Sequence, residues 1–216
     1  MRKGLLVLAL LTLSLQVAAE GWQTLFDGAD MSSWRNYGKT DIDEDWRVED
    51  GAMVMVGGGG DLITKEQFED FELVLEWWVE NGGNSGIFFL ADESELPIFV
   101  HAPEIQILDN ERHSDRRQPN RRSGSLYDMI AAPSESQRPA ETWNSVRIRL
   151  QNSHLQVWQN DVKTVDIRVG GERWLYLEQR SKFADWPGFG ENAAGHIGLQ
   201  DHGDRVAFRN LKIRRL

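Results

Sequence analysis

The chain has no cysteine among its 216 residues. That excludes disulfides, thiolate metal ligands and a lipid-modified N-terminal cysteine, so the core alone must hold the fold together. Basic residues are also scarce, with 24 Lys and Arg against 34 Asp and Glu and a formal net charge of −10. Nucleic acids and anionic membrane surfaces both require positive patches, so neither is an expected partner. There is no heptad and no long segment of helical period. A dinucleotide-binding loop is missing too: Gly57 to Gly60 matches Gly-x-Gly-x-x-Gly poorly and lacks a flanking strand–helix unit. No apolar run reaches the ~20 residues needed to cross a bilayer.

The longest apolar stretch, Leu5 to Leu15, follows Arg2 and Lys3 and precedes Val17-Ala18-Ala19. A basic start, a short apolar region and small residues at −3 and −1 predict a secretory signal over 1–19, cut after Ala19. The expectation is an exported protein, periplasmic or secreted, without a membrane anchor, whose residues 20–216 form one domain. Losing Arg2 and Lys3 makes the net charge two units more negative, which suits a neutral ligand. The nine Trp fit either a packed core or stacking on sugar rings, and their number does not separate the two.

Alternation of apolar and polar residues recurs along the chain. Trp46 to Glu49 and Ala52 to Val56, joined by Asp50-Gly51, read as a hairpin with a tight turn. Phe71 to Val79 and Gly86 to Leu90 read as strands, the second entered through Asn81-Gly82-Gly83-Asn84. Ser145 to Leu150 pairs with Leu155 to Gln159, and Asn160-Asp161 turns into Val162 to Ile167. Gly195 to Gln200 and Val206 to Leu216 close the chain. Short strands with frequent turn signals predict an all-β jelly-roll sandwich of two antiparallel sheets with few short helices. Two long loops interrupt it, Glu111 to Ser123 and Ser181 to Gly195, the first expected beside a cleft.

Two segments carry functional information. In Glu104-Ile105-Gln106-Ile107-Leu108-Asp109, Ile105 and Ile107 point one way and Glu104 and Gln106 the other, as in a central strand covered on one side. In Gly198-Leu199-Gln200-Asp201-His202-Gly203, Ile197 and Leu199 face one side while Gln200 and His202 face the other. Two strands offering Glu, Gln, Gln and His describe a polar cleft that grips hydroxyl groups.

These two segments also belong to a longer series of pieces. The series comprises Trp22 to Gly28 with Trp34, Leu62-Ile63-Thr64 ahead of Asp70-Phe71-Glu72-Leu73, and Gly83-Asn84-Ser85-Gly86-Ile87. It continues through Glu104 to Asp109, Ser123-Gly124-Ser125-Leu126-Tyr127, Trp143-Asn144 and Ser181-Lys182-Phe183. Gly195 to Gly203 and Phe208 to Ile213 complete it. In this order, over about residues 21–216, the chain resembles the 3-keto-disaccharide hydrolase family. The resemblance implies a concanavalin A-like sandwich and action on glycosides whose ring carries a ketone at C3. It also implies a separate sugar oxidoreductase upstream to make that ketone. Two positions depart from the family pattern. Leu90 stands where a basic residue is expected, which bears on substrate preference. Asp161 replaces a hairpin glycine, a turn position Asp also tolerates.

A ketone at C3 acidifies the proton on C2. The reaction then needs a base near C2, a charge stabiliser near the C3 oxygen and an acid near the glycosidic oxygen. His202 is the first candidate for the base, since its unperturbed pKa of ~6.5 lies near working pH. Asp201 can orient it only if the strand has ended. Lys182 is the candidate stabiliser, and Glu104 acts as base or acid depending on its burial. Asn84, Gln106, Asp109, Tyr127, Asn144 and Gln200 are the expected sugar contacts. Glu104, Asp109, Asp201 and His202 are of metal-binding type, but their spacing fits no metal motif, so no cofactor is expected. Two alternatives remain open. Glu104-x-Gln106-x-x-Asp109 faintly resembles the paired carboxylates of retaining glycosidases. A non-catalytic carbohydrate-binding module would instead rely on Trp77, Trp78 and Trp186.

Overall fold

The structure, a computed structural model, describes residues 21–93 and 97–216; the expected leader lies outside the described residues. Thirteen strands follow in chain order: β1 (Gln23–Phe26), β2 (Trp34–Asn36), β3 (Trp46–Glu49), β4 (Ala52–Met55), β5 (Leu62–Thr64), β6 (Phe71–Val79) and β7 (Asn84–Ala91). They continue with β8 (Glu104–Leu108), β9 (Asn144–Gln151), β10 (His154–Gln159), β11 (Val162–Arg168), β12 (His196–Leu199) and β13 (Val206–Arg215). The larger sheet runs β11-β10-β9-β6-β13-β4-β3, with β1 also on β13, and the smaller runs β2-β5-β12-β7-β8. Every described pairing is antiparallel. The expected two-sheet sandwich is therefore observed. One short helix, α1 (Glu172–Glu178), accompanies it where the sequence showed no period.

The apolar alternation places one main core between the sheets. Leu73, Leu75 and Trp77 of β6, Val146, Ile148 and Leu150 of β9, and Phe208, Leu211 and Ile213 of β13 meet Ile87, Phe89, Ile105, Ile107, Ile197 and Leu199 of the smaller sheet. The hairpin turns follow their residues. Asp50 and Gly51 have φ of 49° and 76°, and Asn160 and Asp161 have 48° and 67°, the left-handed pair a two-residue hairpin demands. Asp161 accordingly takes the turn in place of glycine.

Strand β8 is the terminal strand of its sheet, not a central one. Its free edge is nonetheless covered. The Gln106 N–H donates to Ser125 O, the Gly124 N–H to Gln106 O and the Tyr127 N–H to Glu104 O. Segment 124–127 thus replaces a neighbouring strand and leaves no open edge.

The outer face of the smaller sheet divides in two. Ile63, Phe88, Ala91, Ile98 and Ala102 form a second apolar cluster, so the segment around residues 98–102 fills one half. The other half is polar and open, and it forms the floor of the site.

Candidate active site on the smaller sheet

Register fixes the floor. Ile63, Gly198, Phe88 and Glu104 stand opposite one another across β5, β12, β7 and β8. Two residues along, on the same face, Gly86 pairs with Gln106, and the Gln200 N–H donates to Gly86 O at 2.9 Å. Asp61 extends this second row one step beyond the Leu62–Leu199 pair. The row therefore reads Asp61, Gln200, Gly86, Gln106. Gly86 leaves a dent at its centre, and the Glu104 side chain lies over it. A Cβ on residue 86 would stand 2.2 Å from Glu104 Oε1 and 2.7 Å from its Cγ and Cδ.

Around this floor lies a cleft of about 480 Å³. It is lined by Asp61, Asn84, Glu104, Gln106 and Gln200 from the sheet, and by His113, Ser114, Asp115 and Tyr127 from the loop beside it. Phe99, Lys182, Asp201 and His202 complete the rim. The loop expected beside a cleft does form its wall, as 3-10 turns over Ser114–Arg117 and Pro119–Arg121. Eight of the ten residues proposed from sequence are thus gathered in one place: His202, Glu104, Lys182, Asp201, Asn84, Gln106, Tyr127 and Gln200.

The other two stand apart. Asp109 is buried, and its carboxylate accepts the Gly82 N–H at 2.7 Å and the Glu111 N–H at 2.8 Å. It ties together the turn before β7 and the turn after β8, at one end of the sheet, and does not line the cleft. Asn144 starts β9 in the opposite sheet, where its Oδ1 accepts the Arg138 N–H and the Asn160 side-chain amide at 2.9 and 2.7 Å. Leu90 is also remote: it is 3 % exposed, in the main core, with φ of 56°. A departure buried there cannot touch a ligand in the cleft. Of the three Trp a binding module would use, Trp77 is in the core and Trp78 is on the outer face of the larger sheet. Trp186 lies near the rim, 5.7 Å from Phe99.

Strand β12 ends at Leu199, so Asp201 is free of strand parity. It does not turn to His202. Its carboxylate accepts the Gly60 and Gly203 N–H groups, both at 2.8 Å, pinning two glycine turns together. His202 is exposed at the rim, its ring edge-on to His113 at 6.3 Å.

Lys182 is held from its backbone, whose N–H donates to Asp128 Oδ2 at 2.8 Å. Its ammonium sits among aromatic faces: Tyr127 at 4.3 Å, Phe183 at 5.2 Å, Trp186 at 5.4 Å and Phe99 at 5.8 Å. Burial pushes its pKa down, and the neighbouring Glu104 opposes this. Burial pushes the Glu104 carboxyl up to about 8 despite Lys182, with Asp61 and Asp115 adding to the rise. Glu104 therefore carries a proton at neutral pH for much of the time. The Tyr127 phenol is pushed upward by burial and by donating to Asp115 Oδ2 at 2.9 Å, so it remains a donor.

Asp61 is the residue the sequence reading missed. It lines the floor, its Oδ1 accepts the Asp201 N–H at 2.8 Å, and burial raises its pKa to about 6. The available signal was an acidic residue next to a short apolar strand, Leu62–Thr64. Among the described residues no group of three or more His, Asp and Glu is placed to hold a metal ion.

The floor also holds unsatisfied amides. Among the described residues, six buried side-chain polar atoms have no hydrogen-bond partner. Four of them are in this cleft: Asn84 Oδ1, both ends of Gln106, and Gln200 Oε1. A buried polar group without a partner costs about 1–3 kcal/mol, so four such atoms on three amides of one floor describe a surface shaped for a polyhydroxylated ligand.

The chain is also similar to known proteins. The chain is 40% identical to a 3-keto-disaccharide hydrolase of Bacteroides thetaiotaomicron, over 94% of this chain and 81% of that protein. Two crystal structures of Parabacteroides distasonis proteins assigned as glycosyl hydrolases superpose with TM-scores of 0.87 and 0.71, at 28% and 26% identity. The first alignment covers 95% of this chain and 98% of that one, the second 90% and 99%. The model of the 3-keto-alpha-glucoside-1,2-lyase-like domain matches residues 21–214, and the chain belongs to that family.

Proposed function

We propose that the chain is an enzyme that cleaves glycosides, and that its substrates carry a ketone at C3 of the sugar ring. The observation that carries this reading is the floor of unpartnered amides beside a raised carboxyl and an ammonium set among aromatic faces. The amides supply donors and acceptors for ring hydroxyls. Glu104 and Lys182 supply what an enolate needs. As a proton is lost from C2, negative charge gathers on the C3 oxygen. A buried carboxylic acid and a fixed cation beside it, positioned before the charge forms, stabilise it more than mobile water would. Lys182 and Glu104 line the same cleft and act on each other electrostatically. The C1 substituent then leaves by elimination, and water adds to the resulting double bond to complete hydrolysis. His202, exposed at the mouth, is placed to protonate the departing oxygen. The name of the B. thetaiotaomicron relative supports the same substrate class.

The reading extends to export through the leader expected over 1–19 and to an upstream sugar oxidoreductase as the source of the ketone. A conventional retaining mechanism through Glu104 and Asp109 has no support, because Asp109 is engaged by backbone N–H groups elsewhere. The test is a 3-keto-glucoside with a chromogenic leaving group, beside its unoxidised counterpart. Release from the keto sugar alone is expected. Release from both indicates an ordinary glycosidase, and binding without release indicates a carbohydrate-binding module.

A further inference from the structure

We propose that Asp61 is the general base that removes the C2 proton. The inference rests on the substrate reading above and names the group that reading leaves open. A C–H bond next to a ketone breaks perpendicular to the carbonyl plane, whereas donors to the enolate oxygen approach close to that plane, along its lone pairs. The proton acceptor and the charge stabilisers therefore act from different directions, so Glu104 and Lys182 cannot serve as both.

Asp61 and Glu104 meet this requirement. They approach the ligand space from opposite ends of one floor. Asp61 starts the row Asp61–Gln200–Gly86–Gln106, while the Glu104 carboxyl is drawn inward from β8 until it lies over Gly86. Two strand spacings separate the backbone at Asp61 from that at Gly86, roughly 10 Å. That spacing is on the scale of a pyranose ring, and the Gln200 side chain with its unpartnered Oε1 lies between the two positions in the row.

Asp61 is also held as a base should be. Its Oδ1 is fixed by the Asp201 N–H, and among the described residues nothing donates to Oδ2. Asp201 is itself clamped by Gly60 and Gly203, so the carboxylate is positioned through two turns. A pKa of about 6 leaves Asp61 mostly ionised at neutral pH yet more basic than an ordinary aspartate. His202, the first candidate from sequence, is exposed, with its ring edge-on to that of His113.

The steps balance. The Asp61 carboxylate takes the proton from C2, and the C–H electrons become the enolate at C3. The enolate collapses, the C1–O bond breaks, and the leaving oxygen takes a proton from an acid at the mouth. In hydration, water adds at C1 and gives its proton to the conjugate base of that acid, and Asp61 returns its proton to C2. No oxidant or reductant is consumed.

The experiment follows the chromogenic 3-keto-glucoside in D2O, reading leaving-group release and deuterium at C2 for the wild type, Asp61→Asn and His202→Ala. Asn keeps the acceptor for the Asp201 N–H, so the turns stay intact and the melting temperature should hold. Expected is release with deuterium at C2 in the wild type. In Asp61→Asn both should fall about 10³-fold with keto-sugar binding retained, a size typical of a lost general base. Formate should restore exchange to Asp61→Ala, which a merely structural role would not allow. Undiminished C2 exchange in Asp61→Asn overturns the assignment, as does its loss in His202→Ala alone. A wild type that cleaves only the unoxidised glucoside, with no C2 exchange, overturns the substrate reading itself and the base with it.

Discussion

At the residue scale, the site depends on one missing side chain. Gly86 needs no unusual backbone, since its φ is not in the left-handed region; it is needed because Glu104 occupies the space a Cβ would take. Gly86→Ala should therefore expel the Glu104 carboxyl from the floor. Expected is a fall in kcat/KM of about 10²-fold, the scale of a misplaced catalytic group, with a loss of about 1–3 kcal/mol in urea unfolding. Adding Glu104→Ala should recover most of the stability and none of the activity. The Glu104–Lys182 pair makes a second prediction, with a definite sign. Lys182 draws the Glu104 pKa down, so Lys182→Met should raise it further. Infrared titration of the Glu104 carboxyl should show its midpoint move upward from about 8, and a downward shift would contradict the coupling.

Glu104 and Gln106 were legible because strand parity separates them from Ile105 and Ile107, and both pairs face as the alternation required. Asp61 was not legible. It precedes a strand of three residues, too short to show a period, and it follows glycines that read as mere loop. Asp109 and Asn144 were misleading for a different reason. The side chains that grip hydroxyls are the same ones that satisfy backbone N–H groups in turns, and composition alone cannot tell which partner they take.

At the element scale, the turns behind the cleft carry stability and the floor carries chemistry. Asp109 satisfies two backbone N–H groups from different turns, at Gly82 and Glu111. Asp109→Ala strands both, and a cost of about 2 kcal/mol in chemical denaturation is expected. Because Asp109 does not line the cleft, kcat in the folded fraction should change less than threefold. A large loss of kcat at unchanged stability would place Asp109 in the reaction after all. The long strands β6, β9 and β13 were readable from alternation alone, within a residue or two of their ends. β1, β2 and α1 were not read from local pattern, being three to seven residues long and held mainly by what they pack against.

Across the whole molecule, the cleft sets the dependence of stability on pH. Glu104 and Asp61 both have folded pKa values above their unfolded ones, about 8 against 4.5 and about 6 against 3.8. In the unfolded chain they ionise freely, whereas in the folded chain burial resists the charge. Their contribution to stability is therefore intact below about pH 4. It is lost as pH rises through 6 for Asp61 and through 8 for Glu104. Glu104→Gln removes the second of these. Its melting temperature should exceed that of the wild type at pH 9 and match it near pH 4, as thermal melts across that range would show.

The pairing of β13 with both β6 and β4 has a consequence for the order of events during synthesis. The last strand of the chain is an interior strand of the larger sheet, and β1 docks on it as well. Until Val206 to Arg215 have emerged, β4 and β6 lack the neighbour that joins them, and the first strand has nowhere to lie. The sandwich therefore closes only once Val206 to Arg215 are free to pair, and the strands before them wait unjoined until then.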